Sequence, residues 1–237
     1  MSKEKLTQFE DSGFKPDQKI EIEFLKEKLA VTEKENAALK LEIESQKKII
    51  ENLHKEMEND PLTNINNRRP FIKKGEKLIS IMLNPESAER RKGETIPETI
   101  SFAIADIDKF KVINDTKGHF EGDRILREVA RVFKENIRDI DTVCRWGGEE
   151  FAIMLPNAGL EDALKRVEEL RKIVQKKTGV TVSIGVTEYI KSLGFEEVLE
   201  RSDRALYLAK KEGRNCVKTY SYVLEKEKAE KEKKEEK

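Results

Sequence analysis

Asp106-Ile-Asp108 closes an apolar run, so two carboxylates one residue apart stand where a strand gives way to a loop. That placement is costly unless a cation or solvent satisfies the charges. Carboxylates and a backbone carbonyl at a strand end can make a magnesium site with room for substrate phosphate oxygens. An aspartate that caps the next helix is the competing use, and the pattern alone does not choose between them. A second acidic pair, Glu149-Glu150, follows Gly147-Gly148, where the backbone can turn tightly and pass close to a ligand. Taken alone, such a segment is also a common surface turn. A hairpin lying beside the first strand brings Glu149 toward Asp106, and two carboxylate clusters on one sheet edge suit two-metal phosphoryl transfer.

Polar groups are also dense around a helix start in Lys111-Val-Ile-Asn114-Asp115-Thr-Lys-Gly118-His119, with Gly122-Asp123 just beyond. An Asn and an Asp together can read a guanine edge, the carboxylate accepting from N1–H and N2–H and the amide bonding O6 or N3. His119 has the chemistry of a base or a ligand, although a lone histidine is more often structural. Near the C-terminal end, Lys210 and Arg214 flank Gly213. Such cations suit a triphosphate, the arginine by bidentate geometry, and basic residues are also favoured at a helix C-terminus by its dipole.

The elements that position these groups alternate helix and strand between residue 61 and about residue 220. The patterns predict helices over 67–81, 121–137, 160–176 and 195–211, and strands over 101–105, 142–146, 150–155, 180–186 and 215–220. Residues 84–98, with two prolines and a glycine, read as a long loop. The order β-α-β-β-α-β-α-β implies a mixed sheet with helices on one or both faces, an α/β (α+β) fold.

Upstream, apolar residues follow a heptad, with Ile22, Leu29, Asn36, Ile43, Ile50 and Met57 at a and Leu25, Thr32, Leu39, Gln46 and Leu53 at d. In a parallel pair, Glu21 faces Lys26, Lys28 faces Glu33, Glu35 faces Lys40 and Glu42 faces Lys47, every pair opposite in sign. Asn36 at an a position fixes register and a two-stranded state. A single helix laced by i,i+4 ion pairs is the alternative. Asp60-Pro61 ends the helix, because the residue before proline is pushed out of the α region. The chain therefore divides into a flexible start (1–19), a coiled-coil helix (20–59), a globular domain (60–222) and a charged tail (223–237), frayed helix or disorder.

Composition narrows the function classes. Among the 237 residues Lys+Arg and Asp+Glu both number 47, and a formal net charge of zero exerts no overall pull on nucleic acid or an anionic membrane. With only two cysteines and no CxxC pair, neither a disulfide framework nor a zinc site is expected. No apolar run is long enough to span a bilayer and no signal-peptide core opens the chain, so a cytoplasmic protein is expected.

Read in order, six stretches resemble the GGDEF family of diguanylate cyclases: 60–69, 106–115, Gly118-His-Phe-Glu-Gly-Asp123, Arg145-Trp-Gly-Gly-Glu-Glu-Phe151, Thr181-Val-Ser-Ile-Gly185 and 203–215. The resemblance covers nearly all of the globular part and implies a ferredoxin-like, palm-type domain. It implies that Asp106, the Ile107 carbonyl and Glu149 hold two Mg²⁺, with Mn²⁺ as the alternative ion. Glu150 would hold metal or help activate the attacking hydroxyl. Asn114 and Asp123 would read guanine. Lys210 and Arg214 would contact phosphates, with the backbone of Lys109 and Phe110 near the triphosphate and Lys111 and His119 in the same substrate-binding stretch. Each protomer of a homodimer would bind one GTP, and the product would be cyclic di-GMP with two pyrophosphates. Arg138-Asp-Ile-Asp141 matches the family's inhibitory product site, and Arg166 and Arg171 both qualify as a second arginine for it. Asn64 stands where glycine is usual after Leu-Thr, a change that asparagine's access to positive φ tolerates. A subgroup that makes mixed cyclic GMP-AMP alters the guanine-reading aspartate, and the presence of Asp123 favours GTP. The rival readings are a catalytically silent receptor for GTP or cyclic di-GMP, and a coiled-coil scaffold that binds no nucleotide.

Overall fold

The computed structural model describes residues 16–85 and 96–235. Residues 1–15 of the expected flexible start, and 86–95 of the expected loop, lie outside the described residues. The chain divides into two units after Lys55. Helix α1 (Pro16–Glu58) forms the described part of the first unit and begins several residues before the heptad. Its seam residues Leu25, Leu39, Ile43 and Ile50 are each 50–54% exposed in the single chain.

The second unit is built on one six-stranded sheet. Its elements are β1 (Asn66–Asn67), α2 (Arg68–Leu83), β2 (Ile100–Ile107), α3 (Phe110–Lys117), α4 (His119–Glu135), β3 (Thr142–Gly147), β4 (Glu150–Pro156), α5 (Leu160–Thr178), β5 (Val182–Glu188), α6 (Phe195–Lys211), β6 (Val217–Thr219) and α7 (Tyr220–Glu235). The strand order is β1-β3-β4-β2-β5-β6. Central β2 runs antiparallel to both β4 and β5, while β1 and β6 join the edges in parallel. The inner set β2-α4-β3-β4-α5-β5 is the expected ferredoxin-like unit.

Helices cover both faces. Ala103, Ala105 and Ile107 of β2 pack with Val129 and Phe133 of α4 and Val167 and Leu170 of α5. Ile100, Phe102 and Ile104 face the other way, onto Phe71 of α2 and Phe195 and Leu206 of α6. Because all eight residues of β2 are buried, the strand reads as one apolar run rather than as an alternation. The parity of the strand then fixes Asp106 on the α6 side.

Two elements exceed the sequence expectations, and for the charged tail the helical one of the two readings is found. The polar stretch after Asp108 holds a separate helix, α3, which buries only Phe110 and stops at Gly118 (φ 82°) before α4 begins. Strand β1 is two residues long, too short to leave a pattern. The charged tail is helical through Glu235, without an apolar stripe beyond its first turn to announce it.

Candidate active site

The C-terminal end of β2 gathers the acidic groups. Asp106 pairs in register with Glu150 of β4 on one side and with Ser183 of β5 on the other. The Ile107 N–H donates to the Glu149 carbonyl at 3.4 Å, so the two acidic stretches meet at one sheet edge, as the sequence reading required. Gly148, at φ 47°, makes the hairpin turn that delivers Glu149 and Glu150 there. The Lys210 ammonium lies 2.7 Å from Asp106 Oδ2, reaching across from the last turn of α6.

Burial pushes the Asp106 carboxyl above the usual carboxylate range; Lys210 opposes this, while Glu149 and Asp108 add to it. Glu150 is raised as well, first by burial and then by the charge of Asp106, with Asp203 and Glu149 contributing. Asp203 had no role in the sequence reading. It lines, with Glu150, Glu200 and Trp146, a small cavity of about 150 Å³ under the hairpin. This excess of partly buried negative charge suits a divalent cation, and the donors are all hard oxygens of the kind Mg²⁺ takes. Among the described residues no three His, Cys, Asp or Glu side chains already stand as a complete ligand cage. That still fits Mg²⁺, which is commonly held by one or two carboxylates and completed by substrate phosphates and water.

Asp108 takes a different part from Asp106. It is buried, and its two oxygens accept from Ser183 Oγ at 2.6 Å, Thr181 Oγ1 at 2.7 Å and the Asn215 N–H at 3.0 Å. It therefore ties β5 and the turn after α6 to β2, and so helps position Lys210 and Arg214. Arg214 sits in that turn at φ 65°, its N–H on the Ala209 carbonyl and its side chain exposed.

Lys109 adopts the left-handed conformation just ahead of α3, and Phe110 is buried as the first residue of the helix. In that first turn Val112 and Ile113 donate their N–H groups to the Lys109 carbonyl, while those of Phe110 and Lys111 have no partner among the described residues and suit a phosphate. Lys111 and His119 are exposed beside it. Asn114, on α3, has a buried Oδ1 with no hydrogen-bond partner. A Cβ at Gly122 would collide with that oxygen, so the glycine admits the amide and Asp123 follows on the adjoining helix. Asp123 is half-buried, with Arg127 4.0 Å away.

The RxxD motif lies at the other end of β3, about 20 Å from the hairpin at roughly 3.3 Å per residue. Arg138 Nη2 is 2.7 Å from Asp141 Oδ1, its backbone N–H donates to Asp141 Oδ2 at 3.0 Å, and Nη2 also reaches the Pro156 carbonyl at 2.8 Å. Of the two candidate second arginines, Arg166 stands 4.0 Å from Asp141, whereas Arg171 is held by Glu168 and Asn215 elsewhere.

Residues 57–216 match the family model described as "Diguanylate cyclase, GGDEF domain". The chain belongs to the GGDEF family. Among curated GGDEF relatives it is 46% identical to diguanylate cyclase A of Treponema denticola over 129 residues, 51% of this chain and 35% of that protein. It is 35% identical to diguanylate cyclase DosC of Escherichia coli over 174 residues, 70% of this chain and 35% of that one. The chain thus spans about a third of the length of these relatives. A similar solved structure is the coiled coil and GGDEF domain of DgcB from Caulobacter crescentus in complex with c-di-GMP, with a TM-score of 0.68 and 30% identity, covering 79% of this chain and 98% of that one. The GGDEF α/β fold and a long helix preceding it are therefore shared.

Proposed function

We propose that this chain is a diguanylate cyclase that condenses two GTP into cyclic di-GMP and two pyrophosphates, acting as a cytoplasmic homodimer. The observation that carries the reading is the register pairing of Asp106 with Glu150, with Glu149 held at Ile107 by the backbone. Asp106, Glu149, Glu150 and the Ile107 carbonyl would hold two Mg²⁺. When bound, the metal lowers the pKa of the attacking 3′-hydroxyl and offsets charge on the α-phosphate.

The protein's own groups bind and orient the nucleotide. Asn114 Oδ1, buried without a partner, and the carboxylate of Asp123 would read the guanine edge. The first turn of α3 would receive phosphate oxygens at Lys109 and Phe110, and Lys210 and Arg214 would neutralise them from the α6 side. One domain presents one nucleotide, so the second must come from another copy. The exposed seam of α1 supplies that copy through a parallel coiled coil, at high effective concentration. Arg138 and Asp141, joined by Arg166, would bind the product away from the catalytic end and limit turnover. Among the described residues no helix is long and apolar enough to cross a membrane.

Incubating the chain with GTP and Mg²⁺ and identifying the product by chromatography tests the reading. Cyclic di-GMP is expected from the wild type and none from Glu150→Ala; wild-type protein that binds GTP without turning it over would defeat the proposal.

A further inference from the structure

Arg171 lies on α5, and with Arg166 beside Asp141 it has no part in the pair Arg138–Asp141. Its guanidinium is nevertheless engaged on both edges, and the side chain is only 11% exposed. Nε and Nη2 clasp the two Glu168 oxygens at 2.8 and 2.6 Å, one turn earlier on the same helix. That fork fixes the plane of the group. Nη1, on the other edge, donates to Asn215 Oδ1.

Asn215 belongs to the turn that carries Arg214. Gly213, Arg214 and Asn215 follow one another at φ 110°, 65° and 47°. Glycine accepts that region freely and asparagine visits it, but an arginine stays there only when its surroundings hold it. On one side the Arg214 N–H donates to the Ala209 carbonyl at 3.0 Å. The other side rests on Asn215, which is fixed at three points. Its N–H donates to Asp108 Oδ2 at 3.0 Å, its amide nitrogen donates to Gln175 Oε1 at 3.3 Å, and its amide oxygen accepts from Arg171. The turn cannot relax toward negative φ without breaking bonds in this set. Asp108 stands two residues from Asp106, so the same bonds tie the turn to the strand end where the acidic groups gather.

We infer that Arg171 is a positioning residue for the nucleotide: through Asn215 it holds the left-handed turn from which Arg214 reaches the phosphates. The inference rests on the reading of Arg214 as a phosphate contact. Arg171 acts by geometry, because its donors are taken up by Glu168 and Asn215 inside the protein. A lysine in its place keeps the charge but cannot clasp Glu168 and reach Asn215 together.

Steady-state turnover of GTP by the full chain with Mg²⁺, beside thermal melting, tests this in Arg171→Met, Arg171→Lys, Arg214→Ala and the double variant Arg171→Met with Arg214→Ala. Arg171→Met should raise the KM for GTP about tenfold while kcat changes less than about threefold. Arg171→Lys, which keeps the charge and most of the stem, should melt near the wild type yet share the raised KM. Because Arg171 acts through Arg214, the double variant should show about the KM of Arg214→Ala alone, where independent effects would multiply. Gln175→Ala, at an exposed position on the same node, should raise KM about threefold and so reads the network even if Arg171→Met does not fold. The inference is overturned if Arg171→Lys keeps the wild-type KM, if the two arginine effects multiply, or if melting temperature and kcat fall while KM stays put. Any of these outcomes beside a raised KM in Arg214→Ala defeats the role of Arg171 alone. An unchanged KM in Arg214→Ala removes the phosphate contact itself, and this inference falls with it.

Discussion

Arg145 joins two places that are distant in sequence. Its Nη1 lies 3.1 Å from both oxygens of Asp60, the residue ahead of Pro61 at the end of the helical stalk, while its Nε donates to the Gly148 carbonyl at 2.9 Å. One guanidinium thus braces the entry turn and the hairpin that carries Glu149 and Glu150. Burial favours the protonated Asp60 carboxyl, yet the hydrogen bonds from Thr63 and Arg145 outweigh it and hold the group below its usual value. A carboxyl depressed in the folded state stabilises above the unfolded pKa, and that contribution is lost as pH falls through the folded value. Asp60→Asn should therefore cost about 1–3 kcal/mol at neutral pH, the gap to wild type closing below about pH 4. Thermal denaturation across that pH range checks it; a gap that does not change with pH counts against the ion pair.

Asp106 and Glu150 carry the opposite sign. Both carboxyls are raised, in each case first by burial, so the folded state is penalised once pH rises through their folded values and they ionise. Asp106→Asn and Glu150→Gln should raise the melting temperature of the metal-free protein at neutral pH while lowering turnover by about a hundredfold or more. Added Mg²⁺ should then stabilise the wild type more than either variant. Melting curves with and without Mg²⁺, alongside turnover, check this. Equal Mg²⁺ stabilisation of all three proteins would sink the assignment of these carboxylates to metal.

How far the site could be read from residues alone depended on whether each role was local. The Gly147-Gly148 turn and the apolar run ending at Asp106 were legible because a tight turn and a buried strand each leave their mark within a few residues. The helix Phe110–Lys117 was not, since only Phe110 is buried and a single apolar position sets no period. Asp106 and Asp108 look equivalent in sequence. Only the paired strands show that Asp108 is saturated by Thr181, Ser183 and Asn215, while Asp106 faces Lys210. Asp60–Arg145 and Asp203 near Glu150 escaped for the same reason, being contacts across the fold rather than along the chain.

Gly122 controls the end of the site where Asn114 is proposed to read guanine. A side chain there meets Asn114 Oδ1, so Gly122→Ala must push the amide out of place, although alanine itself suits a helix. The expected result is a KM for GTP raised about tenfold or more, with the melting temperature little changed. Steady-state kinetics beside circular dichroism separate the two effects, and an unaltered KM would show that Asn114 does not read the base.

The heptad of α1 runs almost directly into Asp60, so in the proposed dimer the stalk would set how two domains face each other only through the phase of its seam. Leu39, Ile43 and Ile50 lie along that seam and are exposed in the single chain, which leaves a second copy as the natural cover. Inserting four residues after Glu56 turns everything downstream by about 50° relative to a seam repeating every 3.5 residues, whereas seven restore the phase. If register governs the approach of the two nucleotides, the four-residue insertion should lower or raise turnover at least about tenfold, and the seven-residue insertion should bring it back toward wild type. Both proteins should sediment as dimers, so the difference would be one of phase and not of assembly. Turnover that follows neither insertion would mean that the stalk only gathers the domains and does not aim them.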